Sequence, residues 1–218
     1  MVLDAYHNMI ENQLRAGGIF QPFVFDAFQT VDRSAFVPDS FRDFAFADMR
    51  IPIGHGQQMS FPQTDALVLQ VAFPKKHETV LEIGTGTGFT AALLASCARF
   101  VTTVEIQPAL ASLAQDKLMA QDVRNLRAVC ADGLVPEQYL AAGQKFDLIV
   151  FSGAVKMVPE RILDHLADQG RMVVFHQLPA IDQVELMRKR PDGTFETTVL
   201  FETAIEPLVQ SPSSGFVF

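Results

Sequence analysis

Apolar residues recur at helical spacing from the start of the chain. Tyr6, Met9, Ile10 and Leu14 fall on one side of residues 1–16, with Asn8, Glu11, Asn12 and Arg15 on the other. That period predicts an amphipathic helix, which Gly17-Gly18 ends. Pro22 suits the first turn of a second helix, carrying Val24, Phe25, Phe28 and Val31 inward. The stretch R-S-A-F-V-P (33–38) closes this segment at Pro38. From residue 48 to 63 the periodicity is lost. Pro52, Gly54, Gly56 and Pro62 predict an irregular loop, of the kind that often lines a site. A helix then runs from Pro62 through Ala66, Leu67, Leu69 and Val71. Ser60 stands three residues before Gln63, the spacing of a capping box.

Beyond residue 79 short apolar runs alternate with helical stretches. Val80–Ile83, Phe100–Val104, Leu126–Cys130, Lys145–Ser152 and Arg171–Phe175 read as strands. Phe89–Ala98, Pro108–Ala120 and Pro159–Leu166 read as helices, the last stopped by Gly170. Val184–Arg190 and Thr194–Ile205 flank Pro191-Asp192-Gly193, a turn joining antiparallel strands. The expectation is an α/β fold: a doubly wound, Rossmann-like sheet, mostly parallel with a C-terminal antiparallel hairpin, plus N-terminal helices. Residues 1–50 are expected to pack as a helical segment on the main domain, 51–218. Phenylalanines crowd the first segment (Phe20, Phe23, Phe25, Phe28, Phe36, Phe41, Phe44, Phe46), and core packing accounts for them. The tail from Ser211 is polar until its last three residues.

Chemistry concentrates at the first strand-to-helix corner, V-L-E-I-G-T-G-T-G-F (80–89). Glycines there let backbone approach a ligand closely, and open parallel sheets bind ligands at their strands' carboxyl ends. Glu105 closes the next strand about twenty residues later, where a dinucleotide fold places its ribose-binding acid. A dinucleotide fingerprint needs its third glycine at position 89, which is Phe89; the third glycine is Gly88. The spacing E-x-G-x-G-x-G resembles the first motif of S-adenosylmethionine-dependent methyltransferases. Asp132 ends the third strand, beside Gly133. A carboxylate is acceptor-only at neutral pH, which suits Glu105 to ribose hydroxyls and Asp132 to an adenine amino group.

Composition narrows the partners. The net charge of −8 argues against a nucleic-acid surface; the short run Arg188-Lys189-Arg190 flanks a hairpin turn. No apolar run is long enough for a membrane span. The two cysteines, Cys97 and Cys130, sit in apolar surroundings and are expected as buried free thiols, consistent with a cytoplasmic location. The histidines His7, His55, His77, His165 and His176 lack metal-ligand spacing, so no metal is expected.

Several stretches together resemble the protein-L-isoaspartate O-methyltransferase family, in a bacterial branch. They are M-I-E-N-Q-L-R (9–15), V-D-R-S-A-F-V-P (31–38), I-P-I-G-H-G-Q-Q-M-S-F-P (51–62), the glycine motif, A-D-G (131–133), F-D-L-I-V (146–150), V-P-E-R-I-L (158–163) and the ending L-F-E-T with F-V-F (216–218). The resemblance implies methyl transfer from S-adenosylmethionine, leaving S-adenosylhomocysteine, to the isoaspartyl carboxylate of damaged proteins or peptides. It implies cofactor contacts from Gln57, Gln58, Met59, Ser60, Glu82, Gly84, Thr85, Gly86, Gly88, Glu105, Ile106, Asp132 and Gly133, with Ser60 as the catalytic residue. Gln58 stands where the family usually has threonine. Gln169-Gly170 stands where it usually has two glycines. The alternatives are a methyltransferase of this fold with another acceptor, or a cofactor-binding protein without catalysis. A capping role is the structural alternative for Ser60.

Overall fold

The computed structural model describes residues 2–210; the terminal F-V-F lies outside them. Helix α1 (Val2–Asn8) runs on into a wider π-helical stretch, Met9–Arg15. Met9, Ile10 and Leu14 are buried there, as their spacing predicts. Helix α2 (Pro22–Thr30) buries Val24, Ala27 and Phe28. Among the clustered phenylalanines Phe28, Phe36 and Phe46 enter the core, while Phe20 (71% exposed) and Phe44 (51% exposed) face solvent. Packing therefore explains only part of that density.

Residues 48–63 are not irregular throughout. Strand β1 (Ile51–Gly54) pairs antiparallel with β2 (Gln57–Met59). Gly54, His55 and Gly56 all take positive φ, and this turns the chain back. Both strands of a two-stranded sheet are edges, where proline is tolerated, so Pro52 does not prevent pairing. Helix α3 (Pro62–Ala72) follows, with Phe61 at its N-cap and no side-chain cap. The capping box is therefore not formed. Gln63 instead reaches away, its Nε2 donating to the Gly17 carbonyl at 3.2 Å.

The remaining elements are β3 (Thr79–Ile83), α4 (Phe89–Cys97), β4 (Phe100–Glu105), α5 (Pro108–Ala120), β5 (Leu126–Cys130), β6 (Phe146–Val155), α6 (Glu160–Leu163), β7 (Leu166–His176), β8 (Asp182–Lys189) and β9 (Phe195–Thr203). The strands from β3 onward form one sheet in the order β5-β4-β3-β6-β7-β8-β9. The first five of that order are parallel, and β8 and β9 are antiparallel additions. Strand order reverses between β3 and β6, the switch point where such sheets open a crevice. Alternate residues serve two cores. Val80, Leu148, Val150 and Val173 pack under α2, α3 and α4. Leu81, Ile149, Phe151 and Met172 face a second layer with Leu134, Tyr139 and Ile162. Near-continuous apolar strands follow from burial on both faces.

The helix expected over 159–166 shortens to α6. Leu166 is already strand, fully buried and opposite Phe146. Gln169 at φ 62 and Gly170 then bulge the strand before Arg171. Gly170 thus kinks β7 rather than stopping a helix. Arg171 is buried and pairs with Glu78 at 2.8 Å, while its other donors reach the carbonyls of Ala72 and Phe73. This ties the end of α3 to the sheet.

Both thiols are free, but Cys130 is exposed on edge strand β5 and only Cys97 is buried. Alkylation of the native protein is expected to modify Cys130 and spare Cys97 until unfolding. Equal labelling of both in the native state contradicts this placement.

Candidate active site

The glycine turn begins where β3 leaves the sheet. Gly84 and Thr85 donate their backbone N–H groups to the Val104 carbonyl at 2.9 and 3.2 Å, holding the turn against β4. Two of the turn's glycines take positive φ, where an L side chain is strained, and have leucine and isoleucine side-chain tips packed close against them. At Gly84 (φ +99) a Cβ would lie 2.8 Å from Leu208 Cδ2; at Gly86 (φ +55) it would lie 3.3 Å from Ile53 Cδ1. Ile53 therefore rests directly over the turn, bringing the β1–β2 hairpin across it.

Two adjoining chambers open there, about 510 and 550 Å³ including space open to solvent. Ile53, Gln58, Gly84, Gly86 and Ser152 line both. The first chamber also takes in Met59, Ser60, Asp65, Thr85, Thr90 and Phe175. The second adds Gln57, Glu105, Ile106, Leu110, Gly133 and Leu134. Most of the residues expected at a cofactor thus meet in one cleft.

Glu105 is only 7% exposed. Its Oε2 accepts the Gly86 N–H and its Oε1 accepts the Gln107 N–H, each at 2.9 Å. A carboxylate has about four acceptor sites, so capacity remains for hydroxyl donors in the chamber. Three expected contacts do not reach either chamber wall. Gly88 caps α4. Asp132 lies behind Gly133, where its Oδ1 accepts the Leu134 N–H at 2.9 Å. Glu82 is fully buried beneath the turn. It accepts hydroxyl protons from Thr103 at 2.6 Å and Ser152 at 2.9 Å. Burial pushes its carboxyl up to about 8, against the pull of those two donors. Glu82 is thus positioned to brace Ser152, which does line the cleft.

Sequence spacing did not reveal the groups behind Ser60. Asp65, one turn into α3, accepts the Ser60 hydroxyl at 2.5 Å on Oδ1 and Arg33 Nη1 at 2.6 Å on Oδ2. Arg33 also donates to the carbonyls of Ala45 and Ser60, at 3.0 and 2.5 Å. Burial pushes the Asp65 carboxyl up, with Arg33 the chief opposing influence. Asp65, the one charged residue of α3 and a buried one, was the available signal. The C-terminal segment was also missed. Ala154 N–H donates to Glu206 and Leu208 N–H to Ala154, laying residues 206–208 along the end of β6 and over Gly84.

The cleft fits S-adenosylmethionine by its own chemistry. Glu105 offers carboxylate acceptors, Ile106, Leu110 and Leu134 give apolar walls to an adenine-sized ring, and the glycines admit close backbone approach. No group of His, Cys, Asp and Glu able to hold a metal ion occurs among the described residues. No helix among them is long and apolar enough to cross a membrane.

Known proteins agree with this architecture. A relative named protein-L-isoaspartate O-methyltransferase from Methanospirillum hungatei is 36% identical over 165 residues, covering 76% of this chain and 75% of its own. One of the same name from Petrotoga mobilis is 33% identical over 201 residues, covering 92% and 93%. A Plasmodium falciparum structure described as a putative enzyme of this name, in complex with S-adenosyl-L-homocysteine, superposes with a TM-score of 0.83. It is 19% identical and covers 94% of this chain and 99% of that one, which is a likeness of fold. A family model described as protein-L-isoaspartate(D-aspartate) O-methyltransferase matches residues 5–213. By family model and relatives alike, this chain belongs to the protein-L-isoaspartate(D-aspartate) O-methyltransferase family.

Proposed function

We propose that the chain methylates the free α-carboxylate of isoaspartyl residues in damaged proteins or peptides, using S-adenosylmethionine and releasing S-adenosylhomocysteine. The observation that carries this is the convergence of the glycine turn, Glu105 and the Ser60 hairpin on one cleft in a member of this family. S-adenosylmethionine supplies a methyl group on a cationic sulfur that departs as a neutral thioether.

The residues divide the remaining work. Glu105 takes the ribose hydroxyls, and Gly133, backed by Asp132, borders the adenine with Ile106. Thr85, Gly84 and Gly86 let the backbone approach the amino-acid end, over Glu82 and Gly88. Gln57, Gln58 and Met59 form the near wall, and Ser60 touches the acceptor. A carboxylate is ionised at neutral pH, with an ordinary pKa near 4, so no base is required. Alignment and exclusion of water are, and Ile53 seated over Gly86 serves both. We read residues 1–50 as a helical segment appended to a methyltransferase domain, 51–218. A net charge of −8 favours protein over nucleic-acid substrates, and free thiols suit the cytoplasm.

Incubation with methyl-labelled cofactor is expected to place a base-labile label on an isoaspartyl peptide and none on its ordinary aspartyl twin. No label, despite a cofactor-induced rise in melting temperature, overturns the assignment. It leaves another acceptor or a non-catalytic cofactor-binding protein.

A further inference from the structure

The ion pair behind Ser60 decides which way its hydroxyl points. Arg33 is 1% exposed and Asp65, which borders the first chamber, only 5%, so water has little access to their bonds. A guanidinium has donors only. Arg33 Nη1 therefore keeps Asp65 Oδ2 as an acceptor, and Oδ1 takes the Ser60 proton. With that proton committed, Ser60 meets the cleft with lone pairs. A substrate carboxylate is also acceptor-only, and two acceptors do not bond.

A donor stands nearby. Gln58 lies in β2 and Ser60 immediately follows that strand, and both line the first chamber. The Gln58 amide carries two donor hydrogens. An isoaspartyl residue bears its backbone N–H and its free carboxylate on the same carbon. A donor and an acceptor brought to one chamber from the same short segment match that pair.

We propose that Asp65 is a positioning residue that holds Ser60 as a hydrogen-bond acceptor, so that Ser60 takes the isoaspartyl backbone N–H while the Gln58 amide donates to the carboxylate being methylated. This rests on the isoaspartyl assignment above. It gives the Gln58 and Asp65 side chains one joint task, the recognition of a donor beside an acceptor.

The test compares two peptides, one with an ordinary isoaspartyl residue and one whose isoaspartyl nitrogen carries a methyl group. The parent enzyme is expected to prefer the N–H peptide about tenfold in kcat/KM, mostly through KM, the worth of one neutral hydrogen bond. In Ser60→Ala the preference disappears, whereas mere crowding by the added methyl would persist. In Asp65→Asn, Arg33 claims the amide oxygen, the amide nitrogen donates to Ser60, and the Ser60 proton turns to the cleft; the preference again disappears. Gln58→Leu slows both peptides alike and keeps their ratio. A parent-like circular-dichroism spectrum and a cooperative thermal transition certify that each variant is folded. Should Asp65→Asn fail to fold, parent against Ser60→Ala decides. Equal rates for both peptides in the parent, or a preference surviving in Ser60→Ala, overturns the proposal. Transfer to neither peptide overturns the isoaspartyl assignment itself, and this proposal with it.

Discussion

Replacing Arg33 by methionine is expected to cost about 3–5 kcal/mol of folding stability, the usual result of stripping one partner from a buried ion pair. Methionine fills much of the same space, so the loss is chiefly electrostatic. Asp65 would keep its burial and lose the cation 2.6 Å away. Three further ties go with the guanidinium. These are the Ala45 and Ser60 carbonyl bonds and its contact 4.8 Å above the Phe89 ring, at the helix that follows the glycine turn. Arg33 thereby joins the N-terminal segment, the Ser60 loop, α3 and α4. For a chain of this length the loss corresponds to a fall of roughly 10 °C in Tm. Urea unfolding with an unchanged m-value measures it. The double variant Arg33→Met with Asp65→Leu is expected to recover most of the loss, because an apolar pair leaves no buried charge behind. A single variant within about 1 kcal/mol of the parent, a typical cost for an ordinary substitution, refutes the central role given to this pair.

Glu105→Ala is expected to weaken S-adenosylhomocysteine binding about a hundredfold, since hydrogen bonds to a charged group are worth about 1.5–3 kcal/mol each. Two losses combine. The ribose hydroxyls lose their acceptor, and the Gly86 N–H, held by Oε2 at 2.9 Å, loses the bond that shapes the turn. Glu105→Gln keeps one acceptor oxygen and is expected to fall between. Calorimetric titration measures the ratio. Thermal shift gives an independent check. Ligand at a hundred times the parent Kd stabilises the parent by about 2.7 kcal/mol but a hundredfold weaker variant by only about 0.4 kcal/mol. Parent-like affinity in Glu105→Ala removes Glu105 from the cofactor site.

Much of this architecture was legible in residue order. The strand Leu126–Cys130 and helix Pro108–Ala120 match their expected limits, because Pro108 starts the helix, a mostly polar run (121–125) separates the two, and Asp132-Gly133 follows the strand. Errors fell where local signals point two ways. Pro52, Gly54 and Gly56 read as loop punctuation, yet positive φ at 54–56 makes a hairpin turn. Leu166 fits a helix by period, and pairing with Phe146 makes it strand. Cys130 has apolar neighbours, but β5 is the sheet's edge and leaves the thiol exposed. Edge position depends on strand order, which no local window contains.

The same division holds at the active site. By itself the sequence determined that a glycine turn, an acid at the next strand's end and a serine-bearing loop exist in a doubly wound α/β chain. Their spacing along successive elements places the first two at the same end of a parallel sheet, whatever the details. What Ser60 can donate, and to whom, was decided only by tertiary structure. Gln63 was the partner that spacing offered, and it turned to Gly17 instead. Asp65 took the hydroxyl because Arg33, 32 positions earlier in the chain, arrives beside it and both are almost wholly buried. Direction in a hydrogen bond depends on which charges are buried together, and only the folded chain brings those charges within reach.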